Sequence, residues 1–100
     1  MLKVTVLYGH PTEPDVFEKY YSESHLPLVP KVQGILKSEF TTFLPNPDGS
    51  NPASYRMAEL YFSGPDEMQQ ALGSEEGKAM AGDLTNFASG GVTILFGKVD

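Results

Sequence analysis

Histidine and tyrosine are the side chains in this sequence whose types suit acid–base chemistry. His10 and His25 are the only histidines among 100 residues, and there is no cysteine. A histidine takes or gives a proton near neutral pH. In the segment YYSESHLPLVP, residues 20–30, His25 follows Tyr20 by five residues and Tyr21 by four. On a continuous helix Tyr21 would share its face, so His25 is our main candidate for proton transfer.

Pro27 follows His25 closely and is expected to disturb a helix at this point. Proline removes a backbone donor and disfavours helical backbone in the residue before it. A bend near Leu26 would turn His25 out of the regular helical register. A structural alternative stays open, in which His25 caps the C-terminal end of the helix and stabilises its dipole.

Three further polar residues are candidates, each with a structural alternative. Asp83 interrupts an apolar helical face in AGDLTNF, where it would otherwise cap a helical turn or bind backbone groups near Asn86. Glu59 lies on a predicted strand and either faces solvent or is a buried carboxylate with a raised pKa. Tyr61 has the alternative common to most tyrosines, a place in the core or an interface. His10 precedes a proline and is expected in an exposed loop.

Composition excludes several kinds of site and partner. Without cysteine there are no disulfides, thiolate nucleophiles or cysteine-bound metals. With only two histidines, a metal site would need carboxylate ligands, and the sequence has no glycine-rich phosphate loop or dinucleotide-binding motif, so we expect neither a metal nor a cofactor. The net charge of −6, with seven Lys and Arg scattered singly, argues against nucleic acid and anionic membranes. Apolar runs are far shorter than the roughly 20 residues of a membrane span, and the start MLKVTVLY lacks the basic region and small-residue cleavage site of a signal peptide. We expect a cytoplasmic protein with a small organic ligand or a protein partner.

The elements expected to position these residues follow the order βαββαβ. Strand patterns, rich in β-branched or alternating apolar residues, occur at residues 2–9, 35–44, 54–63 and 90–99. Helical patterns occur at residues 12–25, 65–72 and from 74 to about 87. This order predicts one α+β domain over residues 1–100, with a ferredoxin-like four-stranded antiparallel sheet and its helices on one face.

The second face of the predicted sheet has no helix to cover it. Strand residues are apolar on both sides, as in Val6 against Leu7 and Phe40 against Phe43. A chain of this size cannot cover both faces, and a large uncovered apolar face predicts self-association. A homodimer through the open sheet face, with sheet facing sheet, is the simplest closed arrangement.

Several short segments together resemble the EthD family of small dimeric α+β barrel proteins. They are Tyr20, His25 and Pro27 in YYSESHLPLVPKVQG, the strand AELYF, the helix SEEGKAMAGD and the sequence DLTNF. The resemblance covers nearly the whole chain and rests on the order and spacing of these segments. The family is named for a gene associated with bacterial degradation of ethyl tert-butyl ether.

The resemblance implies a dimeric α+β barrel with a pocket for a small organic ligand between helices and sheet. Related barrels include cofactor-free monooxygenases, muconolactone isomerases and polyketide cyclases, an analogy at the level of fold. By position, His25 and Tyr20 would be the catalytic residues lining that pocket. The residues expected to bind the ligand are Tyr21, Glu59, Tyr61, Asp83 and Phe87.

Three functions fit these expectations, and the sequence leaves open whether the chain is an enzyme. The first is a cofactor-independent enzyme, related to oxidoreductases, isomerases or cyclases, in which His25 moves a proton on a small hydrophobic metabolite. Tyr20 would then hydrogen-bond a carbonyl or phenol oxygen of the substrate. The second is a non-catalytic binding or accessory protein in a degradation pathway. The third is an interaction module without a ligand.

Overall fold

The computed structural model describes all 100 residues and contains one four-stranded antiparallel sheet. Its strands are β1 (Leu2–Tyr8), β2 (Lys37–Thr42), β3 (Arg56–Phe62) and β4 (Val92–Lys98). They lie in the order β2-β3-β1-β4, and Val6 of β1 pairs with Ala58 of β3 and Ile94 of β4. This topology confirms the predicted ferredoxin-like fold.

The helices pack against one face of the sheet. They are α1 (Pro14–Tyr20), α2 (Pro65–Gly73), α3 (Glu75–Gly82) and the short α4 (Leu84–Phe87). Proline opens α1 and α2, where its missing N–H would have no intrahelical partner. The Ser74 hydroxyl accepts the Gly77 N–H at 3.0 Å and so caps the start of α3. None of these helices has the length and apolar composition that a membrane span requires.

The helical segment that carries His25 changes pitch twice. After α1, the chain forms a π-helical turn over Tyr21–His25 and then a 3-10 helix over Leu26–Lys31. Leu26 keeps helical angles, φ −57° and ψ −35°, and its N–H bonds to the Tyr21 carbonyl. The prediction that His25 leaves the regular helical register is confirmed, because it lies in the π-helical turn. The change of pitch begins earlier than predicted, at Tyr21, and the chain stays helical through Pro27. In a regular α-helix the Pro27 ring would clash with the carbonyl four residues before it, and the wider π-helical turn relieves this clash.

The apolar core lies between the sheet and the helices. Alternate residues of β1 and β3 face the helices, and Tyr8 and Phe62 are 1% and 0% exposed. Burying one such side chain contributes about 1.5–3 kcal/mol. The helical side of the core consists of Phe17, Tyr21, Val29, Val32, Met68, Ala71, Met80, Leu84 and Phe87.

The second face of the sheet is uncovered, and it is more polar than the sequence indicated. Lys3 Nζ lies 2.7 Å from Glu59 Oε2, and the Tyr61 hydroxyl donates to Glu39 at 2.8 Å. These residues occupy neighbouring positions on β1, β2 and β3. Three apolar residues that the sequence assigned to the second strand lie outside β2, namely Ile35, Leu36 and Phe43. The open face is therefore less apolar than predicted and mixes apolar side chains with paired charged ones.

Candidate acid–base site

His25 and Asp83 are in contact although 58 positions separate them in the chain. His25 ends the π-helical turn after α1, and Asp83 stands between α3 and α4. His25 Nδ1 is 2.8 Å from Asp83 Oδ2, and the two side chains are only 6% and 12% exposed. A carboxylate accepts hydrogen bonds and cannot donate them. Nδ1 is therefore the donor, and a neutral His25 ring has its lone pair on Nε2.

The Nε2 atom of His25 is free to act as a base. It makes no hydrogen bond within the chain. A fully buried Nε2 would be a buried polar atom without a partner, but the only such side-chain atom in the chain is the Tyr21 hydroxyl oxygen. Nε2 therefore retains some access from outside. A carboxylate on the other ring nitrogen fixes the tautomer and the orientation of the imidazole. This arrangement suits general acid–base catalysis.

Asp83 is held by three donors. The Tyr20 hydroxyl donates to Oδ1 at 2.6 Å and Asn86 Nδ2 donates to the same oxygen at 2.9 Å, while His25 donates to Oδ2. Burial raises the pKa of Asp83, but the hydrogen bonds from Tyr20, Asn86 and His25 outweigh it and hold the pKa below its ordinary value of 3.8. Asp83 is thus a fixed anion at neutral pH. The same bond to Asp83 raises the pKa of Tyr20, which keeps its proton.

Aromatic rings enclose the pair. The His25 ring stacks on Tyr21 at 5.8 Å between centroids with 16° between planes, and it lies 4.7 Å from Phe87. Tyr20 stacks on the same Phe87 ring at 5.3 Å. Burial raises the pKa of Tyr21 to about 12, so this residue stays neutral. Rings packed in this way fix the histidine rotamer and lower the local dielectric, which strengthens the contact with Asp83.

A second ionic pair supports Tyr21, and the sequence reasoning missed it. Arg56 Nε donates to Glu18 Oε2 at 2.9 Å and Nη2 donates to Oε1 at 2.6 Å. The Tyr55 hydroxyl donates to the same carboxylate at 3.0 Å. The Arg56 guanidinium lies 4.8 Å from the Tyr21 ring centroid, within cation–π range. The only available signal was a cationic residue on the helix-facing side of an otherwise apolar strand.

Two recesses adjoin α4. One, of about 220 Å³, opens between α1 and α4 and is lined by Phe17, Tyr20 and Phe87 together with polar residues such as Asn86. The other, of about 160 Å³, is lined by nine residues that are all apolar, including Leu84 of α4. His25 lines neither recess. No three His, Asp or Glu side chains converge in a set that would hold a metal ion.

The structure brings most of the predicted site residues into one cluster. His25 contacts Asp83, Tyr21 and Phe87, and Tyr20 joins through Asp83 and Phe87. His25 uses its ring nitrogen for Asp83 and has no capping bond to a helix carbonyl. Their roles in catalysis and ligand binding stay predictions. The two predicted residues outside the cluster, on the opposite face of the sheet, are Glu59 and Tyr61.

His10 lies apart from this cluster. It is exposed, and its Nε2 is 2.7 Å from the Pro52 carbonyl oxygen in the neighbouring loop. The expectation of an exposed loop position is met, and the residue offers a matched comparison for His25.

Comparison with known proteins links the chain to one family. Residues 9–91 match the family model of the EthD domain. An uncharacterized 11.0 kDa protein of Rhodococcus erythropolis, from the thcB-thcC intergenic region, is 43% identical over 96 residues, which are 96% of this chain and 92% of that protein. The crystal structure of an EthD family protein from Bacillus halodurans superposes with a TM-score of 0.93 at 31% identity, covering 100% of this chain and 99% of that chain.

More distant structures share the fold alone. A dimeric protein of unknown function with a ferredoxin-like fold from Bacteroides fragilis has a TM-score of 0.68 at 18% identity, with 98% of this chain and 95% of that chain covered. SnoaB, a cofactor-independent oxygenase from Streptomyces nogalater, has a TM-score of 0.63 at 14% identity, with 98% and 90% covered.

Proposed function

This chain belongs to the EthD family, and from that membership and the setting of His25 we propose that it is a cofactor-independent enzyme that transfers a proton on a small hydrophobic metabolite. The observation that carries the proposal is the 2.8 Å contact between His25 Nδ1 and Asp83 Oδ2, made by two largely buried side chains. The cofactor-independent oxygenase that shares the fold is compatible with such chemistry.

The proposed step is general base catalysis by His25. A C–H next to a carbonyl, or a phenol O–H, gives its proton to Nε2, and the electron pair of the broken bond stays on the substrate as an enolate or phenolate. Asp83 stabilises the imidazolium that forms, and the proton then returns to the substrate at the same or another atom. Such a transfer typically contributes roughly 10²- to 10⁴-fold in rate.

Tyr20 acts in this proposal as a positioning residue. Its hydroxyl donates to Asp83 at 2.6 Å, and this bond raises the pKa of Tyr20. To bond a substrate oxygen, as the sequence led us to expect, Tyr20 would have to leave Asp83. We therefore assign it the task of fixing the carboxylate that orients His25.

We also propose that the protein is a homodimer through the open sheet face. A related fold is described as dimeric in Bacteroides fragilis. On the open face, Lys3 pairs with Glu59 and Tyr61 with Glu39, so covering this face would bury paired charges instead of isolated ones. Sedimentation analysis should give twice the chain mass at micromolar concentration, and a clean monomer would refute the dimer.

A non-catalytic binding protein is the second candidate. The observation that favours it is that His25 lines neither recess, while one recess is wholly apolar. A protein that only stores or delivers a metabolite would need such a recess and no proton-transfer group.

Hydrogen–deuterium exchange separates the two candidates. Small ketones such as acetophenone and cyclohexanone, incubated in D₂O with the protein, lose their α-proton NMR signals if His25 abstracts those protons. We expect His25→Ala to slow this exchange at least 10²-fold and Asp83→Asn to slow it less. The matched control is His10→Ala, which should leave the rate unchanged. Equal exchange by wild type and His25→Ala would remove His25 from the mechanism, and ketone binding without any exchange would favour the binding protein.

A further inference from the structure

The apolar recess lies on the helix-covered side of the sheet and has no polar lining. Its volume is about 160 Å³, and strands β1, β3 and β4 and helices α2, α3 and α4 all contribute to its wall. Core side chains such as Val6, Leu60 and Leu84, exposed by 8%, 5% and 9%, form part of it. Ile94 and Phe96 of β4 are 43% and 67% exposed and form the rim.

A buried floor beneath an exposed rim makes this an indentation into the core and not a flat apolar patch. A flat patch fits the surface of another protein, whereas an indentation of this size fits a small molecule or a single side chain. An engineered apolar cavity of about 150 Å³ in an unrelated protein stays dry and binds benzene. A polar group placed in such a recess would lose its hydrogen bonds to water without replacement.

The short helix α4 connects the recess with the acid–base pair. Leu84 lines the recess, Asp83 immediately before it bonds His25, and Phe87 on the next turn contacts the His25 ring. A ligand that fills the recess therefore contacts the element that positions His25.

We infer that the recess binds the apolar part of the substrate, a single hydrocarbon ring or a branched alkyl group of that size without polar substituents. The polar, reacting end of the molecule stays outside the recess. The identity of this ligand as a substrate rests on the proposed function, whereas its binding in the recess does not.

Toluene and benzoate form a matched pair of probes, since they share a ring and differ in a charged group. In an NMR titration of methyl-labelled full-length protein, toluene should shift the methyl signals of Leu84, Met80 and Ile94. Benzoate should bind at least tenfold more weakly, because its carboxylate finds no partner in the recess. Toluene shifts confined to other methyl groups, or equal affinities for both probes, would overturn the inference.

Two alanines of α3 supply matched variants. Ala81 lines the apolar recess, while Ala79 lines a different surface depression beside Lys31. Ala81→Phe should fill the recess and raise the Kd for toluene at least tenfold, whereas Ala79→Phe should change it less than twofold. Equal effects of both changes would contradict the inference. The inference would also be contradicted if toluene did not bind in the recess and Ala81→Phe converted a dimer to a monomer. The occupant of the recess would then be a second copy of the chain.

A third variant keeps this inference separate from the proposed function. His25→Ala should bind toluene within twofold of wild type, since His25 does not line the recess. Ketone exchange that depends on His25, together with no toluene binding, would refute the recess inference alone. Toluene binding in the recess without ketone exchange would refute the proposed function alone.

Discussion

The hydrogen bonds that converge on Asp83 allow the effect of its removal to be estimated. Asp83→Ala leaves the Nδ1 donor of His25, in a side chain that is 6% exposed, without a partner. An unsatisfied buried donor costs about 1–3 kcal/mol. Tyr20 and Asn86 lie nearer the surface and can turn to water, so their lost bonds together add about 1 kcal/mol. We expect a total loss of about 2–4 kcal/mol in the free energy of unfolding.

Urea denaturation followed by circular dichroism measures this loss. In a domain of this size 1 kcal/mol corresponds to about 4–8 °C, so the melting temperature should fall by at least about 8 °C. Asp83→Asn keeps one acceptor oxygen and should lose about half as much. The control is Asp100→Ala, since the Asp100 side chain is 93% exposed. A loss below about 0.5 kcal/mol for Asp83→Ala, within the range of ordinary surface changes, would refute the hydrogen-bonded cluster.

Three further predictions concern stability. Hydrogen bonds from Arg56 lower the pKa of Glu18 below its ordinary 4.5. The Glu18 carboxylate therefore stabilises the folded state fully above pH 4.5, and this stabilisation is lost as the pH falls through the lowered pKa. Glu18→Gln should therefore flatten the decline of unfolding free energy between roughly pH 5 and pH 2, and an unchanged slope would contradict this. A side chain at Gly77 would meet the backbone oxygen of Ala71, whereas Gly82 has open space. Gly77→Ala should therefore lower the free energy of unfolding by about 1–3 kcal/mol, and Gly82→Ala should raise it slightly. Equal effects would show that α2 and α3 do not approach so closely. The buried Tyr21 hydroxyl has no partner at ordinary hydrogen-bond distance and lies near the Tyr8 hydroxyl. Tyr21→Phe should therefore change the free energy of unfolding by less than about 1 kcal/mol, whereas a larger loss would show that the two hydroxyls bond each other.

The order of elements could be predicted from the sequence because each signal is local. Pro14 and Pro65 mark helix starts, and the strands carry alternating or β-branched patterns within a few residues. The pitch changes around His25 could not be predicted in the same way. The rule for residues before proline gave a bend at Leu26, but packing of Tyr21 and His25 in the core keeps this stretch helical with a wider turn.

Contacts between distant parts of the chain account for what the sequence did not show about the site. Asp83 and His25 were both candidates, but their pairing depends on how α3, α4 and the π-helical turn meet on the sheet. The pairing of Glu18 with Arg56 joins α1 to β3 across 38 positions and has no local signal. Glu59 was predicted to bind the same ligand as His25. The strand register places Glu59 on the other face of the sheet, beside Lys3.

The position of the proton on His25 tests the central claim most directly, because the proposed chemistry needs a free Nε2. Long-range nitrogen–proton NMR correlations of the imidazole distinguish the two neutral tautomers. We predict that the neutral ring of the wild-type protein is protonated on Nδ1, with Nε2 unprotonated, and that Asp83→Asn shifts the population toward protonated Nε2. A wild-type protein with its proton on Nε2, or an Asp83→Asn variant with an unchanged tautomer, would contradict the claim that Asp83 prepares His25 to act as a base.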